Sequence, residues 1–398
     1  MADSYTEYDN TGFLGRVGNS FKGVLFGAIF FLGSFALLGW NELRSVRQAR
    51  SLEEGRSVVV NVDQASRNPQ TEGKLVFTAG RAQTDETLTD SQFSVSASGL
   101  RLRRKVRMYQ WDEDKDTHGS GSNKRTTYEY KKVWSENRIN SSSFHYPSGH
   151  ENPDSMPAAT QELSSARAYV GAHRLSSGLI EQLSNYQPVQ IGTGDVSRAP
   201  RLGSRTARLD SNSFYYGRDP RNPEIGDLQV DFSVVPPTDV SIVAKQVGET
   251  FGPYQTKAGN ALEMLETGIH DSDYVFDAAQ SRNSILTWIL RGVGWLLMFF
   301  GLLMILGPIQ ALASFLPFVD SIVGLGMGLA AFALSVVLSA TTVAVCWIAV
   351  RPLFGAGILA GAAFLFWAAK RKGDRRIQSG VLPANAPPPP PPPGAPMS

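Results

Sequence analysis

The sequence has little cysteine and no concentrated charge of one sign. Its one cysteine among 398 residues, Cys346, lies inside an apolar run. This excludes a disulfide framework and a metal site built from cysteine ligands. The 38 basic residues stand against 36 acidic residues, which gives a net charge of +2. Proteins that bind nucleic acid normally carry a concentrated basic excess, so we expect no DNA or RNA partner.

Catalytic motifs are also missing from the sequence. It contains no HExxH, no P-loop and no GxSxG elbow, and its five histidines are scattered without metal-ligand spacing. His145 and His150 lie five residues apart in a loop rich in proline and glycine, where hydrogen-bonded histidines are far commoner than metal ligands. We therefore predict no catalytic, metal-binding or cofactor-binding residues, and a protein that is not an enzyme.

Long apolar runs are what the sequence does contain. A bilayer core of about 30 Å takes roughly 20 helical residues, and only a helix satisfies every backbone polar group where water is absent. Four segments qualify as transmembrane helices, at 22–40, 292–312, 321–350 and 353–369. The sequence therefore predicts an integral membrane protein with four transmembrane α-helices and a large extramembrane domain inserted between the first and the second.

The pair Arg351-Pro352 separates the third run from the fourth. An arginine at the bilayer centre costs about 2.5 to 3.5 kcal/mol on insertion scales, and proline stops a helix. We therefore place the pair in a turn between two helices. The alternative is that Arg351 is a functional charge inside the membrane.

Aromatic and basic residues flank the runs at the level expected for lipid headgroups. The predicted interface anchors are Trp40, Arg44, Trp295, Arg351, Lys370 and Arg371. Basic residues are commoner beside the two termini than in the short loop around Arg351, which predicts cytoplasmic termini, although arginines at 44–50 on the domain side weigh against this. The predicted layout has a cytoplasmic tail at 1–21, a periplasmic or lumenal domain at 41–291, and a basic, then proline-rich and disordered cytoplasmic tail at 370–398.

The residues between the first two spans predict a mixed α+β domain with β-hairpins. Periodicity predicts helices at 41–55, 155–183, 258–268 and 271–290, and strands at 57–62 and 73–82. The clearest hairpin joins 101–111 to 124–134, and 226–235 with 239–247 reads as a second pair. A helix at each end would then attach the domain to the bilayer at two points.

The strand at 101–111 carries an unusual stripe. Alternation places one set of side chains on a single face, namely Arg101, Arg103, Lys105, Arg107, Tyr109 and Trp111. Such a stripe could hold anionic lipid headgroups or an acidic partner, at about 1 kcal/mol for each cation. The alternative is internal pairing with acids such as Glu129 and Glu136.

Small residues in the third and fourth runs predict close contacts between helices. The candidate contact residues are Gly324, Gly326 and Gly328 in the third run, and Gly355, Gly357 and Gly361 in the fourth. They could join subunits into a homo-oligomer. They could equally pack helices within one subunit.

An ordered set of segments resembles the LUMA family, the transmembrane-protein-forty-three family. The matching segments are NELR at 41–44, LRRKVRMYQW at 102–111, GHENPDSM at 149–156, LSSGLI at 175–180, FYY at 214–216, NPEIGDL at 222–228, VAKQ at 243–246, TWILRGVGWLLMFFGL at 287–302 and RPL at 351–353. The resemblance implies a four-span protein whose large loop is lumenal. It also implies self-association and a scaffold role, with nuclear-lamina partners in animals.

The functional expectation is a non-enzymatic multi-pass scaffold that self-associates and organises other membrane proteins or membrane structure. Its partners would be membrane lipids, further copies of the chain and other membrane proteins. The alternative is a membrane-anchored enzyme or lipid-binding protein that acts through 41–291. The resemblance implies the endoplasmic reticulum and inner nuclear membrane for a eukaryotic chain, and the inner membrane for a bacterial one. It supplies no catalytic residues.

Overall fold

The computed structural model describes residues 3–8, 13–65, 67–118, 125–313 and 319–350. The predicted fourth span at 353–369 and the tail at 370–398 lie outside these residues. So do Arg351, Lys370, Arg371, Gly355, Gly357 and Gly361.

Five α-helices occur in the described part of the chain. They are α1 (Phe13–Val58), α2 (Ser177–Glu181), α3 (Thr193–Arg198), α4 (Ser272–Ala313) and α5 (Val319–Val350). Helices α1, α4 and α5 are each long and apolar enough to cross a membrane, and they contain the first three predicted spans. The 46 residues of α1 extend about 69 Å at 1.5 Å per residue, well beyond a bilayer core.

The large domain lies between α1 and α4 in the chain and is rich in β-structure. Its strands, with one N-terminal strand, are β1 (Asp3–Tyr8), β2 (Val60–Asn61), β3 (Leu75–Thr84), β4 (Thr87–Asp90), β5 (Val95–Ser98), β6 (Arg101–His118), β7 (Arg125–Ser135), β8 (Gln161–Ser164), β9 (Ala168–Val170), β10 (His173–Arg174), β11 (Gln187–Pro188), β12 (Arg208–Asp210), β13 (Ser213–Tyr216), β14 (Leu228–Val235), β15 (Thr238–Val247), β16 (Thr250–Gly252), β17 (Tyr254–Gln255), β18 (Ala261–Leu262) and β19 (Met264–Thr267).

Two larger sheets form the domain. The first runs in the order β1-β7-β6-β14-β13-β12, with β8 added to β6 and β11 added to β14. The second runs β19-β15-β16-β10-β9-β3-β2, and an extra pairing of β15 with β3 closes five of its strands into a ring. Each sheet has its own core: Phe93, Val106 and Phe214 lie in the first, and Val76, Leu179 and Ile242 in the second.

A third apolar cluster joins the domain to the long helices. Leu52 of α1 and Phe276 of α4 pack against Leu75 and Val243 of the second sheet. Helix α4 begins where the Asp271 carboxylate accepts a hydrogen bond from the backbone N–H of Tyr274, as expected of a capping residue. The helices predicted at 41–55 and 271–290 are therefore confirmed as extensions of the first two spans.

A hairpin forms between the two predicted strands, but β6 continues to His118 and only its residues 108–118 pair with β7, so the predicted extent is wrong. Other local predictions are also wrong. The segment 155–183 contains β8, β9, β10 and the short α2 rather than one helix, because β8 pairs with β6 and Gly171 turns the chain at a φ of +57°. Residues 258–268 contain a turn at Gly259, where φ is +101°, followed by β18 and β19. Of the strand predicted at 57–62, only Val60–Asn61 is extended, because α1 continues to Val58.

The segments 226–235 and 239–247 form strands β14 and β15, but the two do not pair. Strand β14 belongs to the first sheet and β15 to the second. Pro236 and Pro237 lie between them, and proline lacks the N–H that a tight hairpin turn uses. The chain therefore passes from one sheet to the other at this point.

Helices α1 and α4 are antiparallel and approach most closely at two glycines. A Cβ atom at Gly301 would lie 2.7 Å from the backbone N of Phe31 and 2.9 Å from the carbonyl O of Gly27. The sequence analysis missed this pair, since it looked for small-residue contacts only in the third and fourth runs.

We expect Gly301→Ala to destabilise the helix pair, because backbone atoms occupy the space that the new methyl group needs. Overpacking of this kind typically costs about 1 to 3 kcal/mol. Thermal unfolding of the detergent-solubilised protein measures the loss. Gly33→Ala is the matched control, since nothing lies within 4 Å of its Cβ position. Equal midpoints for the two variants would contradict close packing at Gly301.

Strand β1, from the predicted N-terminal tail, pairs with β7 in antiparallel register from Asp3↔Tyr130 to Tyr8↔Arg125. The Glu7 carboxylate accepts a hydrogen bond from the Tyr146 hydroxyl. Its Oε1 atom also lies 2.9 Å from His145 Nε2. These two contacts hold the pKa of the Glu7 carboxyl below its usual range. A chain that crosses a bilayer once through α1 cannot keep residues 3–8 and the domain on the same side. The pairing and the predicted cytoplasmic tail are therefore mutually exclusive within one subunit.

A disulfide test separates these two arrangements. The Thr6 and Thr127 hydroxyls lie 3.3 Å apart, so Thr6→Cys with Thr127→Cys, in a Cys346→Ser background, reports the pairing. We expect oxidation to join the two cysteines in detergent micelles and to leave them free in sealed vesicles, where the bilayer separates them. Gel mobility with and without reductant measures the bond. A disulfide in vesicles would overturn the predicted position of the tail, and its absence in micelles would contradict the strand pairing.

Candidate functional site

A cluster of polar residues joins α1, α4 and α5 where the apolar parts of these helices end. Glu42 of α1 is 1% exposed. Its carboxylate accepts hydrogen bonds from Nε and Nη2 of Arg291 on α4, at 2.6 and 2.8 Å. The indole Nε1 of Trp347 on α5 donates a third, at 2.8 Å. One buried carboxylate therefore ties together all three long helices.

The guanidinium of Arg291 is also covered by aromatic rings. Its Cζ atom lies 4.8 Å from the ring centroid of Trp288 and 6.0 Å from that of Trp347. Cation–π contacts of this kind contribute about 0.5 to 2 kcal/mol, more where water is excluded. The Glu42 side chain is 1% exposed and that of Arg291 is 18% exposed, so most of the ion pair is covered.

A second set of hydrogen bonds lies next to the ion pair along the helices. Arg44 Nη1 donates to Asn283 Oδ1 at 3.2 Å, and Arg44 Nη2 donates to Thr287 Oγ1 at 3.1 Å. Asn41 Nδ2 donates to the Thr287 carbonyl, and Asn283 Nδ2 donates to the Ser45 carbonyl. The spacing of three and four residues on each helix places these groups on facing sides. They fix the register of α1 against α4.

This arrangement is suited to holding helices together rather than to chemistry. The charges of Glu42 and Arg291 are matched by each other, and Arg44 donates to the neutral oxygens of Asn41, Asn283 and Thr287. Among the described residues there is also no group of three or more histidine, cysteine or acidic side chains that could hold a metal ion.

The predicted anchors occupy two different environments. Trp40 is 56% exposed on the outside of α1, and Arg44 belongs to the polar cluster. Trp295 lies deeper and donates from Nε1 to the Ser335 hydroxyl at 3.1 Å, so it connects α4 with α5. The sequence analysis missed Glu42 and Arg291 as a pair, although both are charges at the ends of apolar runs.

The basic stripe on β6 has partners within the domain. Arg101 forms an ion pair with Glu162 and donates from Nη1 to the carbonyls of Glu181 and Leu183. Lys105 Nζ lies 2.6 Å from Glu136 Oε1. The remaining contacts are Arg107 to Asp231 at 2.7 Å, Arg103 over the Tyr186 ring at 4.2 Å, Tyr109 against Trp134 at 5.2 Å and Trp111 against His150 at 4.8 Å. Binding of an anionic lipid here would have to compete with these contacts.

Arg104, which points to the opposite face of β6, makes a contact that the alternation did not identify. Its Nη1 atom donates to both carboxylate oxygens of Asp90, at 2.9 and 2.7 Å. Both side chains are buried. The same Asp90 carboxylate accepts the backbone N–H of Phe93, so this pair organises the turn between β4 and β5.

The predicted contact glycines in the third run face away from the described helices. No atom of the described residues lies within 4 Å of a Cβ built at Gly326 or Gly328, apart from those of the neighbouring chain and helix backbone. Gly324 lies in the same helix, four residues or about one turn before Gly328.

We expect Glu42→Gln to destabilise the protein strongly, because Arg291 would remain charged without its counter-ion. Breaking a buried pair from one side typically costs about 3 to 5 kcal/mol. Removing both charges with Glu42→Leu and Arg291→Leu should restore much of the loss. Unfolding in detergent of Glu42→Leu, Arg291→Leu and the variant with both changes measures the coupling between the two charges. Additive effects would show that the two charges do not depend on each other.

Comparisons of the sequence with known proteins find the same family by two routes. The family model "Transmembrane protein 43" matches residues 108–352. Transmembrane protein 43 of Homo sapiens is 33% identical over 369 residues, which cover 89% of this chain and 90% of the human one. The protein of Mus musculus is 32% identical over 366 residues, covering 88% and 90%. The homolog of Drosophila melanogaster is 30% identical over 360 residues, covering 86% and 93%.

No solved structure matches the chain. The family model covers more than half of the sequence, and the Mus musculus and Homo sapiens relatives align over 88% and 89% of it. This chain is an integral membrane protein that belongs to the transmembrane protein 43 family.

Proposed function

We propose that the protein is a non-enzymatic membrane scaffold that self-associates through α5 and presents its β-rich domain at a fixed height over the membrane. The observation that carries this proposal is that the glycines of α5 contact no described residue outside their own helix. Gly326 and Gly328 have no described neighbour, and the adjacent Leu325 and Leu329 are 70% and 63% exposed.

A helix segment with uncovered glycines suits contact with another helix. Moving an apolar side chain from lipid into a helix interface gains little free energy, because lipid tails are equally apolar. Helices therefore associate where small residues let two backbones approach closely. The glycines of α1 and α4 are already used in this way within the subunit, at Gly27 and Gly301. Those on α5 contact no other part of the chain that the structure describes, and we propose that they contact a second copy.

The domain is held by two helices that continue from the membrane without a break. Near their far ends, Arg56 of α1 forms ion pairs with Asp273 and Asp277 of α4. A scaffold needs such a fixed connection, because a flexible linker would let each domain move independently of its helices. The same geometry makes a lipid-binding or enzymatic role for the β6 stripe less favourable, since its cations are engaged.

The compartment follows the expectations for the family. We propose a lumenal or periplasmic domain, in the endoplasmic reticulum and inner nuclear membrane of a eukaryote or the inner membrane of a bacterium. Partners would be other membrane proteins and further copies of the chain.

We expect the double variant Gly326→Leu and Gly328→Leu to shift the detergent-solubilised protein to smaller species, because leucine side chains would separate the paired helices. Light scattering coupled to size exclusion measures the mass, corrected for detergent. Gly33→Leu is the matched control, because its Cβ position on α1 is equally open. An unchanged mass with an unchanged unfolding midpoint would overturn the proposed contact. An unchanged mass with a lowered midpoint would assign the glycines to packing within one subunit.

A further inference from the structure

The outer edge of strand β7 receives an extended segment of chain. Residues Asp3–Tyr8 lie along it as β1, and all 6 of them pair in antiparallel register. The N–H and C=O groups of an edge strand form a template for an added strand, and main-chain hydrogen bonds then supply much of the affinity. The edge of β7 can therefore take an extended peptide.

Three side chains of β1 lie on the same face of the sheet, because strand residues alternate between faces. They are Asp3, Tyr5 and Glu7, and they meet the loop that follows β7. The centroid of the Tyr5 ring lies 4.7 Å from that of Tyr146 and 6.4 Å from that of His150. The tyrosine of the added strand is therefore placed among aromatic rings of the domain.

The two acids on this face also have partners in the domain. The Glu7 carboxylate accepts a hydrogen bond from the Tyr146 hydroxyl at 2.6 Å and lies 2.9 Å from His145 Nε2. Asp3 Oδ2 lies 3.4 Å from His150 Nε2. That Nε2 atom is buried and has no hydrogen-bond partner among the described residues. Each acid thus faces an imidazole, so the edge suits a strand with an acid on both sides of a tyrosine, two positions away.

Contacts that do not involve β1 hold the receiving side chains in place. The His150 ring stacks on the Tyr130 ring, with centroids 3.9 Å apart, and its Nδ1 atom donates to the Tyr146 carbonyl at 3.0 Å. The Tyr130 hydroxyl accepts the backbone N–H of Tyr146 at 2.9 Å. The His145 ring stacks on the Tyr128 ring at 4.1 Å. Side chains that are already ordered lose little freedom when a ligand binds, which favours affinity.

Charge also favours an acidic ligand. The segment at 3–8 carries two acids and no base. Strand β7 exposes Arg125, Lys131 and Lys132 against one exposed acid, Glu129. An excess of positive charge of this kind attracts an acidic segment and raises its rate of association.

A bilayer makes this edge available to other proteins. In a chain whose α1 crosses the membrane once, residues 3–8 lie on the side opposite the domain and cannot reach β7. We propose that the edge of β7 and the loop at 144–150 bind an extended segment of another protein on the domain's side of the membrane, with an acid two residues before and two residues after a tyrosine. Residues 3–8 show how such a segment lies. This adds a partner site to the proposed scaffold, and it requires the single crossing by α1 but not self-association through α5.

The test measures the fluorescence anisotropy of a labelled peptide with the sequence of residues 2–9, titrated with the full chain in lipid nanodiscs. We expect saturable binding, because the bilayer keeps the chain's own segment away from the site. Alanine at the peptide position of Tyr5 should weaken binding about tenfold, since it removes the aromatic anchor. A peptide of the same composition, reordered so that no tyrosine has an acid two positions away on both sides, should also bind about tenfold more weakly.

A variant of the protein tests the contact with the second acid. Tyr146→Phe removes the hydroxyl that donates to Glu7 and keeps the ring that lies against Tyr5. We expect about fivefold weaker binding of the peptide, and no effect on a peptide with alanine at the position of Glu7. Tyr274→Phe is the matched control, because this tyrosine also stacks on a histidine, His270 at 3.8 Å, but lies on α4 outside the site.

Detergent micelles provide a second condition, because no bilayer separates residues 3–8 from the domain there. We expect the chain's own segment to compete, so that the peptide binds more weakly than in nanodiscs. Tyr5→Ala in the chain should restore the binding of the peptide in micelles.

Four results would each overturn the proposal. They are the absence of saturable binding in nanodiscs, equal binding of the reordered peptide, equal effects of Tyr146→Phe and Tyr274→Phe, and equal binding of the peptide in micelles and nanodiscs. Because the readout is peptide binding rather than mass, such a failure would leave self-association through α5 unaffected.

Discussion

The buried ion pair between Glu42 and Arg291 is the constraint on which the arrangement of the long helices depends. A carboxylate that is 1% exposed cannot stay charged without a counter-ion, so α1 and α4 must meet in one register. Trp347 adds α5 to the same carboxylate. Replacing such a pair with apolar side chains often leaves stability unchanged, so we expect its main effect here to be the selection of one helix arrangement among several. A contact that fixes the register matters more in a membrane, because apolar helices can slide past one another there with little change in buried surface.

The position of the domain follows from that register. The polar contacts of Arg44 and Asn41 lie next to the ion pair, and the Gly27–Gly301 contact lies further into the apolar region. On the domain side, Gly55 leaves no room for a side chain against Leu262 and Phe276. The helix pair is therefore fixed from its apolar part to the second sheet, and a shift at one level would have to break contacts at the others.

Features that depend on a local sequence pattern can be predicted from the sequence. Features that depend on contacts between distant residues cannot. Apolar runs of membrane length identify three described helices, and strong alternation identifies the β6–β7 hairpin, since both signals are contained in one stretch of chain. Glu42 and Arg291 are 249 residues apart, and nothing local pairs them. The stretch at 155–183 has helical spacing, yet pairing of β8 with β6 prevails over that preference. For the stripe on β6, alternation correctly placed the cations on one face, but their partners Glu162 and Asp231 come from other parts of the chain.

The outer edge of β7 is paired in the structure, but it would be free in a chain whose α1 crosses a bilayer. Within one chain, residues 3–8 satisfy the free N–H and C=O groups of this edge. Once α1 crosses a bilayer, the same residues are on the other side, and the edge is left with unpaired backbone groups. Free edges invite pairing with other chains, and charged side chains on them oppose it. Strand β7 carries Arg125, Glu129, Lys131 and Lys132 in exposed positions, and this excess of positive charge opposes pairing with a second copy of the same edge. The proposed association through α5 would therefore not compete with sheet-to-sheet contact between domains.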